Sequence, residues 1–262
     1  LHLVHYSEIY FTIVHLSTVF YLTYIALWIF YHTVANYVKN FKVTVMKKEE
    51  RKKWDKDQRT TRIIEIAQEL FFTKGFDATT IEEIAHLAGY NKRTLYHYFK
   101  DKEELFLAVA LNGLKLFNEK LKEAFTYPIE GHTKLYSMGK AFYNFFLRYP
   151  DYFNLIMTYE ARNCMYYPAT NNNTMSFYKA ECQKIADSDT ELIIKAIESS
   201  INDGSIKTTL TPKQLMLILW GQVFGITQII MIRKDYFKQA YGISHEELFE
   251  TFLIETEKSL KN

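Results

Sequence analysis

Hydrogen-bond donors are concentrated in the short stretch NKRTLYH, residues 91–97. Lysine and arginine suit the O6 and N7 acceptors of guanine, and a threonine methyl group suits the methyl group of thymine. Leu95 and Phe99 lie one helical turn apart, so we expect both to turn inward and leave the polar side chains on the other face. The stretch therefore predicts a surface that reads base edges in a DNA groove. Its candidate contacts are Asn91, Lys92, Arg93, Thr94 and His97.

A second set of residues has the chemistry of phosphate contacts. Phosphates are bound by backbone amides at helix starts, by hydroxyl groups and by cations. Thr79 and Thr80 stand where a second short helix is expected to begin. Lys100 follows the polar stretch, and Arg62 lies on the preceding helix. Any one of these side chains is more often an ordinary solvated surface residue, so the prediction rests on the whole set sharing one surface.

Helix start and stop signals place these residues on three short elements. Gly75 is expected to end the first helix in the left-handed conformation, and Thr80 with Glu83 forms a capping box that opens the next. Gly89 lets the chain reverse in a tight turn because a positive φ costs glycine little. Asn91 then caps a further helix. Two helices joined by a short glycine-containing turn form a helix-turn-helix, whose second helix can enter a major groove.

The composition supports an all-α fold with a local, rather than global, positive surface. The chain has 262 residues, 48% of them hydrophobic, and a net charge of only +2. Apolar residues recur at spacings of three and four, which favours helices throughout. Beyond residue 127, Ser188 with Glu191 predicts the start of a separate helix over about 189–202. Thr211 predicts another that runs to about Arg233 and, being apolar, is expected to be buried.

Motifs typical of enzymes are missing from the sequence. There is no P-loop, no GxGxxG and no HExxH, since the pair His245-Glu246 lacks the second histidine. The eight histidines are scattered rather than spaced as metal ligands, so neither a cofactor nor a metal is expected. Two cysteines, Cys164 and Cys182, are too few for a disulfide scaffold. They leave a thiol- or metal-responsive protein open as an alternative.

Residues 1–45 differ in character from the rest of the chain. No charged residue occurs from Ile9 to Val38, and lysines follow from Lys39 onward. About 20 apolar residues can span a bilayer, and the positive-inside rule would place the following segment in the cytoplasm. Three interpretations stay open: a start-site artefact with translation beginning near Met46, a membrane anchor, or a soluble interaction helix. The first predicts a cytoplasmic protein, and the second predicts an inner-membrane anchor with the rest of the chain in the cytoplasm.

The ordering of residues in RIIEIAQELFFTKGFDATTIEEIAHLAGYNKRTLYHYFKDKEELF resembles the tetracycline-repressor (TetR) family of bacterial transcription regulators. The resemblance covers about 46–260. It implies a three-helix DNA-binding domain over 46–105 and a helical regulatory and dimerisation domain over 106–262. Tyr96 and Lys102 match family positions that touch phosphates. Tyr90 and Asn91 depart from residues common in the family, which affects the expected DNA preference rather than the fold.

The resemblance also implies two further binding surfaces. A homodimer would form through helices near the C-terminus and bind a palindromic double-stranded operator, with repression as the family's commoner mode. Its interface candidates are Leu219, Trp220, Gly221, Phe224, Gly225, Gln228 and Phe252. A small organic effector, flat or greasy rather than a sugar phosphate, would bind inside the regulatory domain and release the DNA. Its candidate contacts, each of which could equally be plain core, are Phe117, Leu121, Phe142, Phe146, Met157, Tyr159, Glu160, Met175 and Tyr178.

Overall fold

A computed structural model describes residues 27–36, 48–130, 133–166 and 175–261. Every regular element in these ranges is a helix, which confirms the predicted all-α class. The chain divides into two compact units, Leu1–Thr61 and Arg62–Asn262. In the first unit, residues 27–36 form α1, whose side chains are all exposed. The interpretations of residues 1–45 therefore fall largely on residues 1–26 and 37–47, which lie outside the described ranges.

Nine further helices follow α1 within the described ranges. The remaining helices are α2 (Lys48–Ala78), α3 (Ile81–Leu87), α4 (Lys92–Tyr98), α5 (Lys102–Thr126), α6 (Lys134–Arg148), α7 (Pro150–Tyr166), α8 (Phe177–Asn202), α9 (Pro212–Tyr241) and α10 (His245–Lys261). The second compact unit holds all the candidate functional residues. Helix α5 runs without interruption across residue 105, where the predicted domain boundary lies. That boundary remains a prediction.

The expected helix ends are present around α3 and α4. Gly75 has φ 80° and ψ 166°, so the helical path of α2 is interrupted there, as predicted from the glycine. The Thr80 hydroxyl accepts a hydrogen bond from the Glu83 amide and caps α3. Gly89 has φ 78° in the turn, and the Asn91 side chain accepts from the Thr94 amide at 2.8 Å to cap α4. These local contacts define where α3 begins and where the turn gives way to α4.

The larger helical part of the second unit is organised around α5. This helix packs against α6, α7 and α8, and its apolar face contributes buried residues from Leu105 to Leu121. Helix α8 continues straight through Ser188, so the predicted helix start at that position is wrong. The physical reason is that Ser188 and Asp189 both accept hydrogen bonds from the amide of Asn118 on α5. Their polar side chains bind a neighbouring helix instead of capping their own.

Helix α9 is apolar on its exposed face as well as on its buried face. Leu215, Thr227 and Ile230 are buried, but only 17% of the window Pro212–Arg233 is buried. Among the described residues this is the one segment long and apolar enough, with mean hydropathy 2.0, to cross a membrane by length and composition. The expectation of a buried helix is therefore wrong for the single chain. The exposed side chains Ile218, Ile229, Ile232 and Tyr236 form a stripe along the helix.

Candidate functional site

The outward face of α4 carries the polar side chains predicted to read DNA. Leu95 and Phe99 are 0% and 1% exposed, so they anchor the helix in the core as expected. On the opposite face Arg93, Tyr96 and His97 are exposed. Thr94 is half-buried, and its hydroxyl donates to the Asn91 side chain at 3.0 Å. The structure thus brings the five predicted base contacts together on one short helix and its cap.

Lys92 has a strong local partner on the neighbouring helix. Its ammonium lies 2.5 Å from a carboxylate oxygen of Glu82 on α3. The hydrogen bond raises the pKa of Lys92 and lowers the pKa of Glu82, and both side chains are exposed. The lysine ammonium also lies 5.8 Å from the centre of the Tyr96 ring. A phosphate or a guanine would have to compete with Glu82 for this cation.

The two threonines at the start of α3 have different roles. Thr80 is exposed, and its hydroxyl caps the helix by accepting from the Glu83 amide. Thr79 is 0% exposed, and its hydroxyl donates to the Gly75 carbonyl at 2.8 Å. The predicted phosphate contact through the Thr79 hydroxyl is therefore corrected: a buried and already donating group fastens the turn after α2. Thr80 keeps its place on the candidate surface.

Lys102 also has a structural role that the sequence did not indicate. Its ammonium donates to the carbonyls of Phe76 at 2.9 Å and Thr79 at 3.0 Å, and it lies 4.2 Å from the centre of the Phe76 ring. By contrast, Lys100 is exposed, and no side-chain contact is found for it within the described part of the chain. Arg62 is exposed and 4.0 Å from Glu65. The phosphate contacts of these cations remain predictions, and Lys102 is the weakest of them.

A cavity of about 380 Å³ lies in the helical part of the unit formed by α5 to α10. Five of the nine predicted effector contacts line it: Phe117, Leu121, Phe142, Met157 and Glu160. The other four do not. Phe146 and Tyr159 are buried in the core, at 7% and 2% exposure. Tyr178 stacks on Phe99 with ring centres 5.8 Å apart, and Met175 borders a separate shallow depression.

Two carboxylates that line the cavity have raised pKa values. Burial raises the pKa of Glu160 on α7. Burial also raises the pKa of Asp189 on α8 to about 6, against the lowering effect of its hydrogen bond from Asn118. The amide nitrogen of Asn118 lies 2.6 Å from Asp189 Oδ1. Sequence reasoning missed Asp189, because a polar DSDTE run is typical of a helix start and only long-range packing turns it inward.

Several residues predicted for the dimer interface in fact border the cavity. Leu219, Trp220 and Phe252 all line it, and Leu219 and Phe252 are half-buried. Gly221 is exposed and Gly225 half-buried, and a Cβ added at either would meet nothing within 4 Å. Phe224 and Gln228 are half-buried. The exposed apolar residues missed by the sequence prediction are Leu217, Ile218, Ile229, Ile232 and Tyr236, and their exposure would not have been deduced from an apolar run alone.

An ion pair joins the cavity-lining helix α7 to the start of α5, directly after the helix-turn-helix. The guanidinium of Arg162 donates to both carboxylate oxygens of Glu103, at 2.7 and 3.3 Å. The same guanidinium lies 4.4 Å from the centre of the Phe76 ring, whose backbone carbonyl binds Lys102. Tyr152, also on α7, donates to Gln68 on α2 at 2.7 Å. Helix α7 is therefore fastened to α2 near its start and to α5 near its end.

The thiol alternative gains no support from the described cysteine. Cys182 is 0% exposed, and its thiol donates weakly to the Leu107 carbonyl at 3.4 Å. Burial raises the pKa of this thiol to about 12, so the reactive thiolate is scarce near neutral pH. The side chain of Cys164 lies outside the described residues. Among the side chains that the structure describes, no group of three or more His, Cys, Asp or Glu could hold a metal ion.

These features define the class of the protein: a helix-turn-helix domain joined to a helical domain with an internal cavity. Residues 63–109 match the family model of bacterial regulatory proteins of the tetR family. The segment that carries the helix-turn-helix thus matches the TetR family model, as the motifs predicted.

Curated relatives and solved structures are also similar to this chain. The transcriptional activator FasR of Mycolicibacterium smegmatis is 30% identical over 90 residues, which are 34% of this chain. The match spans only 41% of FasR. A TetR/AcrR-family regulator from Thermobifida fusca matches 78% of this chain and 100% of its own at a TM-score of 0.55 and 20% identity. AibR, solved with isovaleryl coenzyme A and operator DNA, matches 74% of this chain and 96% of its own at a TM-score of 0.54 and 18% identity. The structures establish a common fold.

Proposed function

We propose that this protein is a cytoplasmic transcriptional regulator that binds a palindromic operator as a homodimer and is controlled by a small organic effector. The observation that carries the proposal is the exposed donor face of α4, a helix that begins at the Asn91 cap directly after the turn at Gly89. It lies within the segment that matches the family. Arg93 and His97 are the exposed base-reading groups, while Lys92 must first leave Glu82.

Dimerisation follows from what one copy of α4 can reach. A seven-residue helix is about 10 Å long and reads few base pairs. Two copies related by a twofold axis read half-sites about 34–36 Å apart or at a multiple of that distance. The apolar stripe of Ile218, Ile229, Ile232 and Tyr236 on α9 is exposed in the single chain and offers the surface that a second copy would cover. Gly221 and Gly225 lie beside it with open space above them, which permits a close helix approach.

Effector control follows from the cavity and from its connection to the DNA-binding part. AibR was crystallised with an acyl-coenzyme A and its operator, so one protein of this fold takes both kinds of ligand. Here a ligand that prefers one position of α7 would shift Arg162 and, through Glu103, the start of α5. Such a ligand weakens DNA binding by its differential affinity for the two arrangements. We propose repression as the mode of control on the family resemblance, although FasR is named an activator.

Selection of bound sequences from random duplex DNA tests the proposal. The expected result is a symmetric site, with affinity that falls steeply as salt is raised. Arg93→Met should relax the preference at one position of each half-site and cost about 1–3 kcal/mol on the cognate site. Lys100→Met should lower the affinity for all DNA sequences by the same factor. A protein that binds no duplex better than heparin, or an Arg93→Met variant with an unchanged selected site, contradicts the proposal.

A further inference from the structure

Every charged side chain among the described residues that line the cavity is acidic. Four carboxylates do so, contributed by α7, α8 and α10: Glu160, Asp187, Asp189 and Glu257. The rest of the lining is mostly apolar or aromatic, including Phe117, Phe142 and Trp220. A binding site for a carboxylate, a phosphate or a coenzyme A thioester needs cations or a free helix N-terminus to hold the negative charge. The lining described here has the opposite charge.

The four carboxylates are not equally available to a ligand. Glu257 accepts from the Thr133 amide at 2.7 Å and lies 3.6 Å from the Lys261 ammonium, so its charge is already matched. Asp187 is exposed and accepts from Gln183 at 2.8 Å. Of the remaining two, Glu160 on α7 is half-buried and Asp189 on α8 is buried.

Glu160 and Asp189 lack a cationic partner in the described structure. No hydrogen bond or ion pair to Glu160 is formed by any described residue, and Asp189 is held by the neutral amide of Asn118. Burial is the main cause of the raised pKa of Asp189, and the negative charge of Glu160 adds to it. Lys122 acts on Asp189 only through space, and its own side chain is exposed. Two largely buried carboxylates without a counter-ion are costly unless a cation joins them.

The walls around these carboxylates suit an apolar body. Phe117 meets Phe142 and Phe145 edge-to-face, with ring centres 5.7 and 5.2 Å apart. Phe153 meets Phe142 in the same way at 5.4 Å. Aromatic faces attract cations that are poorly hydrated, and the attraction strengthens when water is excluded. A cavity of about 380 Å³ is within the size range of sites for small organic ligands.

We infer that the effector of this cavity is a hydrophobic organic cation, with its positive charge between Glu160 and Asp189 and its apolar body against the phenylalanine rings. The inference deepens the proposed function and rests on it, because the ligand of this cavity is an effector only if the protein is a regulator. It separates this protein from AibR, whose crystallised ligand is an anionic thioester. It also assigns Asp189, which sequence reasoning had not connected with a ligand.

A pair of ions with one shape and opposite charge tests the inference. Tetraphenylphosphonium and tetraphenylborate share a tetraphenyl framework, and each is titrated calorimetrically into the purified full chain. We expect the cation to bind at least about tenfold more tightly than the anion. Glu160→Gln and Asp189→Asn should each weaken the cation by about tenfold, the usual effect of losing a charge-assisted contact. Glu191→Gln, an exposed carboxylate on α8, is the matched control and should leave affinity unchanged.

Two further measurements separate the failure of this inference from other failures. Thermal unfolding of each variant shows that the fold is intact, and binding of the selected operator by ligand-free protein tests the proposed function independently. If the protein binds its operator but tetraphenylborate binds as well as the cation, or the cation does not bind, the cation inference is overturned and the regulator proposal stands. If Glu160→Gln, Asp189→Asn and Glu191→Gln all bound the cation with equal affinity, the assigned position of the charge would likewise be overturned.

Discussion

Replacement of Lys102 by methionine separates a structural lysine from a DNA-contacting one. Methionine keeps the length and apolar stem but removes the ammonium that donates to the Phe76 and Thr79 carbonyls at 2.9 and 3.0 Å and to the Asp77 carbonyl at 3.4 Å. A hydrogen bond from a charged donor contributes about 1.5–3 kcal/mol, and a solvated cation–π contact about 0.5–1 kcal/mol. These contributions overlap at one ammonium, so we expect a loss of about 2–3 kcal/mol.

That loss has a measurable size in thermal unfolding. For a unit of 150–250 residues, 1 kcal/mol shifts the melting temperature by about 2–4 °C, so Lys102→Met should melt about 5–10 °C lower. Lys100→Met is the matched control, since Lys100 is exposed without a side-chain contact among the described residues. It should keep its melting temperature. Removal of one cation that neutralises a phosphate should lower the slope of log affinity against log salt by about 0.9.

The two measurements assign opposite signatures to the two lysines. We expect a lower melting temperature and an unchanged salt slope for Lys102→Met, with the reverse for Lys100→Met. The reasoning is refuted if Lys102→Met melts within about 1 °C of the parent, roughly the error in such measurements, while its salt slope falls. That pattern would return Lys102 to the phosphate-contacting set and leave the three carbonyls with adequate partners in water.

Three further changes test the buried charge, the turn and the dimer surface. Burial raises the pKa of Asp189 above its unfolded value, so the folded state holds the proton more tightly and stability falls as pH rises from about 4 to about 6. Asp189→Asn should remove this component, about 2–3 kcal/mol, in urea titrations across that range. Thr79→Val removes the buried hydroxyl that donates to Gly75 and should cost about 1 kcal/mol in thermal unfolding. Ile229→Glu places a charge on the exposed stripe of α9, so sedimentation should show monomers with an unchanged melting temperature of the single chain.

Matched controls exist for all three changes. Asp187→Asn, at an exposed carboxylate, should leave the pH dependence intact, and an equal effect of both variants would contradict the burial argument. Thr73→Val removes a similar hydroxyl-to-carbonyl bond at an exposed site and should change stability by less than about 0.5 kcal/mol. Leu87→Glu introduces the same charge at an exposed position on α3 and should stay dimeric. Dimers of Ile229→Glu at parental affinity would remove α9 from the interface.

Local chemistry was enough to predict the helix-turn-helix. The caps at Thr80 and Asn91, and the positive φ at Gly75 and Gly89, all depend on residues within a few positions of one another. Such contacts can be deduced from spacing because the same atoms meet in any protein with that turn. The inward side of α4 was equally accessible, since helical periodicity places Leu95 in the core.

Most of the features that the sequence did not predict depend on partners that are distant along the chain. Ser188 has the composition of a helix cap, but Asn118, 70 residues earlier, attracts its hydroxyl and α8 continues. Lys102 was expected at a phosphate because no local signal shows that carbonyls 23 to 26 residues earlier surround it. Trp220 was expected in a dimer interface and lines the cavity as well. In each case the sequence indicates the residue's chemistry but not its partner.

Glu160 and Arg162 lie two positions apart on α7, so they leave the helix about 200° apart. The Glu160 carboxylate lines the cavity, and the Arg162 guanidinium contacts Glu103 and the Phe76 ring. A shift of α7 therefore couples the cavity to the start of α5 in both directions. If a cation changes the affinity for the operator by some factor, thermodynamic linkage requires the operator to change the affinity for the cation by the same factor. The change in ligand affinity on adding operator DNA should therefore equal the change in operator affinity on adding the ligand.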